Sequence, residues 1–308
     1  MTTAIAIAGG QLRSLMRRRT FVVMLLVLLS MTAASGFIGW SSHSTIISVY
    51  DETVRTLTAA GKPAPPDPFA GKPRLALLNN MIIYVPLIGA LLAIVIGHLG
   101  VTDDRIAGVN RIVFSRPVPR ATYYWGKLAG GALALLAIVT ACLLLSVIAV
   151  SLINGGPPTA AELLRLGAFY GLAWMYLLVF MLVGMAAALL LRSQSTALLA
   201  AVAVWVLVTF ATPQFTSGLR PVASLNPVND PVAVSASPFF RATSKAKPVS
   251  VSEQYKTLST QILTEGHRFT FGATLGHIAP ILAFGALLMA WSLRLVRRYD
   301  FSEEAVVD

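Results

Sequence analysis

Six apolar stretches, each about the length of a bilayer-crossing helix, recur along the chain at 20–40, 80–100, 128–153, 167–191, 196–216 and 272–296. A helix crossing the hydrocarbon core needs about 20 such residues, so the pattern predicts an all-α polytopic membrane protein with six transmembrane helices. Polar positions fall between the stretches. They divide the chain into a tail at 1–19, outer loops at 41–79, 154–166 and 217–271, an inner connection at 101–127, and a tail at 297–308. The whole of 1–308 reads as one transmembrane domain.

Local signals refine this layout. Residues 5–19 alternate Leu12, Leu15 and Met16 with Arg13, Arg17 and Arg18, the pattern of a short helix lying in the membrane interface. The first outer loop begins with a helix over 44–59 and then breaks at Pro63, Pro65, Pro66 and Pro68. The third holds Asn226-Pro227-Val228-Asn229-Asp230-Pro231, followed by a polar stretch from 249 to 267 with helical character. Pro86 and Pro280 fall inside spans two and six, where a missing N–H kinks or opens a helix. Glycine pairs at four-residue spacing, Gly167 with Gly171 and Gly272 with Gly276, suggest close helix approach.

Charge sets the expected orientation. Thirteen of the 24 Lys and Arg residues sit in the two tails, at Arg294 at the end of the last span, in 101–127 and at Arg192, all on one face of a six-span layout. Basic residues resist translocation, so both termini are expected in the cytoplasm and the protein in the bacterial inner membrane. The net charge of +11 is then membrane topology and attraction to anionic lipid, not nucleic-acid binding. The first apolar run reaches Trp40, too long for a signal-peptide core of about 7–15 residues, and is read as an uncleaved anchor. Cys142, the lone cysteine, leaves no intramolecular disulfide to form.

The spans are almost free of charge, which argues against an ion-coupled carrier. No Gly-x-x-x-x-Gly-Lys-Ser/Thr loop is present, and Gly126-Lys127 lacks both the upstream glycine and the following hydroxyl. His43, His98, His267 and His277 form no His-Glu-x-x-His spacing. The chain is therefore expected to be non-catalytic, with no cofactor or metal of its own.

The most distinctive stretch is the 101–127 connection. It runs through Asp103, Asp104, Arg105 and Gly108 to Arg116, Pro117 and Arg120, then to Gly126-Lys127. Acids beside a break, a basic turn stiffened by prolines and an aromatic-Gly-Lys re-entry make a compact charged element suited to docking another protein. These motifs resemble the acid-Arg-Gly, Ser-Arg-Pro and Gly-Lys series of the membrane subunit of type 2 ABC exporters. With Gln11 to Arg17 at the start and Leu225-Asn226-Pro227-Val228 after span five, the chain is similar to the gliding-motility and nitrous-oxide-reductase-maturation permease branch. Glutamate is usual in that family where Gln11 and Asp103 or Asp104 stand, and a threonine where Val109 follows Gly108.

That resemblance implies a permease driven by a separate ABC ATPase subunit, which would hold the ATP and Mg. The coupling residues would be Arg13, Arg17, Asp103, Asp104, Arg105, Gly108, Arg116, Pro117, Arg120 and Lys127. A second permease copy or a homologous permease would meet it along spans two and five, and membrane lipid would surround both. The expected function is export of a lipidic or amphipathic substrate. The alternative is a membrane anchor that transmits ATPase-driven motion to an extracytoplasmic partner without transport.

Overall fold

The computed structural model describes residues 2–66, 74–106, 108–115, 117–153, 155–217, 238–265 and 271–299. Their regular elements are helices: α1 (Thr2–Met16), α2 (Arg19–Ala59), α3 (Met81–Ile106), α4 (Val109–Phe114), α5 (Arg120–Ile153), α6 (Ala160–Leu190), α7 (Gln194–Thr216), α8 (Pro238–Thr243), α9 (Val251–Thr260) and α10 (Phe271–Arg298). Six of these, α2, α3, α5, α6, α7 and α10, are long and apolar enough to cross a membrane. The six-span reading therefore holds. Arg116, the 226–231 proline segment and the tail from 300 lie outside the described residues.

Helix α6 is the central post, with 78% of its most apolar window buried against 17% for α7 and 11% for α10. Its start is set chemically. The Thr159 hydroxyl accepts from the Glu162 N–H, and the Glu162 carboxylate accepts from the Thr159 N–H at 2.7 Å, closing a capping box. Helix α3 crosses α6 where Gly97 faces the Met181 carbonyl and Gly184 faces the Ile94 carbonyl, so closely that a Cβ at either position would collide with backbone. Bonds from Trp174 Nε1 to the Ala132 carbonyl (3.0 Å) and between Ser146 and Tyr170 (2.6 Å) join α5 to α6.

Of the glycines expected to pack, Gly272 lies outside the residues whose surroundings are described, and the other three meet no helix of this chain. Gly167, Gly171 and Gly276 have nothing within 4 Å of a Cβ built on them. Close approach is made instead by single glycines on different helices, and by Gly126 and Gly130 of α5, which seat α1. There a Cβ would lie 2.7 Å from Ile7 Cβ and 2.6 Å from Gln11 Cβ. The amphipathic opening helix therefore lies directly on α5, burying Ala8, Gln11 and Leu15.

Helix α2 also departs from expectation. The span ending at 40 and the separate helix over 44–59 are one continuous rod of 41 residues, about 60 Å at 1.5 Å per residue. Nothing between Trp40 and Ala59 breaks a helix. The hydroxyls of Ser44, Thr45, Ser48, Thr53, Thr56 and Thr58 donate to carbonyls three or four residues earlier, so the polar extension satisfies itself locally. It stops at Gly61, whose φ of 73° is left-handed, and the chain turns back so that the Tyr50 hydroxyl reaches the Pro65 carbonyl at 3.0 Å.

At the end opposite the basic connection α8 and α9 close the bundle, α9 being inserted among the spans against the middle of α6 and α7. The helix expected within 249–267 is α9, and it is far from a surface element. Val251, Ser252, Tyr255 and Leu258 are buried, and the Tyr255 ring lies 4.5 Å from that of Tyr176 on α6.

Candidate functional site

The last turn of α3 places three consecutive charged side chains, each rotated by about 100° from the one before, towards three different neighbours. Asp103 accepts from Arg18, at the head of α2, at 2.8 Å. Asp104 pairs with Lys127 of α5 at 2.5 Å and accepts from the Tyr123 hydroxyl at 2.5 Å. Arg105 donates to the carbonyls of Ala188 (2.6 Å) and Arg192 (3.0 Å) and lies over the Tyr299 ring at 5.2 Å. One turn thus ties together the start of α2, the start of α5, the α6–α7 junction and the end of α10.

The electrostatics explain the pairing. Two acids at a helix C-terminus oppose its dipole, and the Arg18 and Lys127 cations offset them, while Arg105 satisfies the orphan carbonyls that end α6. Lys127 also donates to Gln11 Oε1 at 2.6 Å, which fastens α1 to the same cluster. Lys127 and Arg105 are buried, and the Asp103 and Asp104 side chains retain only 14% and 19% of their exposure.

The expected coupling residues therefore separate by position. Asp103, Asp104, Arg105 and Lys127 are internal struts. Arg13, Arg17, Gly108, Pro117 and Arg120 are exposed on the same end of the bundle, and Arg120 reaches the Arg297 carbonyl at 3.0 Å. Gly108, with a φ of 66°, makes the left-handed turn from α3 into α4. Gln11, Arg18, Tyr123 and Tyr299 complete the cluster without having been singled out as site residues. A polar residue such as Gln11 on the buried face of an amphipathic helix is the one signal that could have found a member of this group.

At the opposite end, α3 and α7 both widen into single π turns, Val85–Gly89 and Leu207–Ala211. Such turns shift the hydrogen-bond ladder and are frequent at functional sites. Pro86, which has no N–H to donate, sits in the first. The Pro86 carbonyl accepts from Trp205 Nε1 of α7 at 2.9 Å, and the Val208 carbonyl accepts from Ser252 of α9 at 3.0 Å. Ser252 is also bonded to the Tyr176 hydroxyl at 2.9 Å. Span five is thus joined, just before its π turn, to the π turn of span two, and α9 is pinned to the second turn. The other expected weak point, Pro280, sits within an uninterrupted α-helical stretch of α10.

Among the described residues no three His, Cys, Asp or Glu side chains gather as a metal site. No curated protein matches the chain. The sequence model of the ABC-2 family transporter proteins, however, matches residues 5–288, nearly the whole chain. Six apolar helices and that match together place the chain in the ABC-2 transporter family, as a multi-pass permease component of an ABC transporter that works with an ABC ATPase subunit.

Proposed function

We propose that this chain is one permease half of an ATP-driven exporter of a lipidic or amphipathic molecule, with its basic end in the cytoplasm of a bacterial cell and its α8–α9 end outside. The observation that carries this reading is the course of α3. One helix runs from the charged turn at Asp103–Arg105, which gathers the basic end, to the π turn at Pro86, which is bonded to α7. Movement imposed by an ATPase at the first point would reach the second through a continuous helix, and a second copy placed along α3 and α7 would complete a pathway between the halves. Arg13, Arg17, Pro117 and Arg120 would face the ATPase, while Asp103, Asp104, Arg105 and Lys127 would keep the docking end rigid. The motifs at 103–127 support a place in the gliding-motility and nitrous-oxide-reductase-maturation branch of that family.

A second reading, mechanical transmission without transport, is favoured by one feature, the extension of α2 far past a bilayer's thickness. Reconstitution of the permease with its ATPase in liposomes separates the two. Stimulation of ATP hydrolysis by an amphiphile supports export. Stimulation only by a protein added on the distal side supports transmission.

A further inference from the structure

A cavity of about 520 Å³ lies between the first half of α6 and α10, with α9 across one end. Its walls are Ala168, Leu172 and Met175 of α6, Leu258 of α9, Ile262 of the π turn Gln261–Glu265 that follows it, and Ile278 of α10. That volume falls within the range of about 300–1,000 Å³ typical of small-molecule sites. The lining is almost wholly apolar, and the rim residue Leu164 is 77% exposed, so the groove opens at the outer surface of the bundle rather than into its interior.

One polar group interrupts this lining. Arg165 donates through Nε to the Ile262 carbonyl at 2.8 Å, while one of its terminal guanidinium nitrogens is buried with no hydrogen-bond partner. The nearest acid in sequence, Glu162, is committed to the capping box with Thr159. A buried charged donor left unsatisfied is costly, and in a native protein it calls for a ligand. Arg165 is in the second turn of α6, about 8 Å from the helix start, which is headgroup depth for a membrane helix, and the positive end of the α6 dipole adds to its field.

We propose that this groove binds an anionic phospholipid, one acyl chain lying along Ala168, Leu172 and Ile278 and the phosphate accepting from the Arg165 guanidinium, which turns out of the wall to meet it. The second chain stays in the bilayer past Leu164. Arginine presents a planar fork of donors that matches phosphate oxygens, and the groove supplies a dry channel leading from it. The site uses neither the basic end nor the π turns of α3 and α7, so it stands whether the protein transports or transmits. Its effect is local. A lipid held against Leu258 and Ile262 braces α9, which is bonded through Ser252 to the π turn of α7.

The test is native mass spectrometry of the full chain in non-ionic detergent, titrated with phosphatidylglycerol and, separately, with phosphatidylcholine of the same acyl chains. Wild type should retain phosphatidylglycerol in preference. Arg165→Gln should weaken that retention about tenfold and erase the preference, and Arg165→Lys should fall between the two. Ala168→Trp, at a lipid-facing position, should block both lipids, and Arg241→Gln, an exposed cation of α8, should change nothing. Thermal melting checks that each variant is folded. Undiminished phosphatidylglycerol binding by Arg165→Gln would overturn the proposal, as would an equal loss in Arg241→Gln, which would mark general surface charge. Efficient dimer crosslinking through Ala168→Cys that persists in the presence of excess phosphatidylglycerol would give the groove to a second copy of the chain and overturn it too.

Discussion

Gly97 of α3 and Gly184 of α6 are reciprocal, each turning its bare Cα onto the other helix's backbone, at the Met181 and Ile94 carbonyls respectively. Gly97→Ala or Gly184→Ala must push two backbones apart and is expected to cost about 1–3 kcal/mol or more. Gly167→Ala and Gly171→Ala, with open space around them, should be neutral or slightly stabilising. Thermal unfolding of the four variants in detergent checks the contrast.

Removing Lys127 strands Asp104 in the interior of the basic end. Lys127→Met should destabilise the protein by about 3–5 kcal/mol, because an uncompensated partly buried charge remains. The double variant Asp104→Leu with Lys127→Met should recover much of that loss. A melting series on the two single variants and the double gives the coupling, and strict additivity would mean that the pair is not a strut.

The exposed cations should behave differently. Arg13→Glu, Arg17→Glu and Arg120→Glu are expected to leave the melting temperature within a few degrees of wild type while lowering co-purification with the ATPase, most steeply in low salt. Unchanged co-purification in all three would move the docking surface elsewhere.

Trp205→Phe keeps the ring but removes the donor to the Pro86 carbonyl, a loss of about 1–3 kcal/mol if no water replaces it. Backbone amides around Leu207–Ala211 should then exchange hydrogen faster, and Ser252→Ala should add to the effect because it frees the Val208 carbonyl of the same turn. Protection equal to wild type in the double variant would mean that the π turns hold their shape unaided.

Orientation is tested with single cysteines in a Cys142→Ala background. Lys245→Cys, exposed just after α8, should label with an impermeant thiol reagent on intact spheroplasts, and Ser195→Cys, exposed at the start of α7, only after lysis. The reverse pattern would place the basic end outside.

The spans were legible because hydropathy summed over about 20 residues is a one-dimensional property, insensitive to what packs where. Helix ends were less so. A run such as Ser41–Ala59 is polar enough to look like a loop, yet it lacks any glycine or proline to stop the helix that enters it. The glycine contacts were misplaced for a related reason. Gly167 and Gly171 make a visible spacing on one helix, whereas Gly97 and Gly184 meet only because α3 and α6 cross there. At the basic end, the charges of Asp103, Asp104 and Arg105 stood out in an apolar chain, but not the direction in which they point. Their partners Arg18, Lys127 and Ala188 come from other helices, and no local pattern links an acid on one helix to a cation more than eighty residues earlier on another.

The length of α2 makes it a lever. Its foot is held at Arg18 by Asp103, on the same turn of α3 that meets α5 and the α6–α7 junction, while its far half extends past a hydrocarbon layer of about 30 Å. On a rod about 60 Å long, a tilt of about 10° at the foot sweeps the tip through about 10 Å. A small rotation at the basic end would thus be enlarged, at Ala59, to the width of a helix.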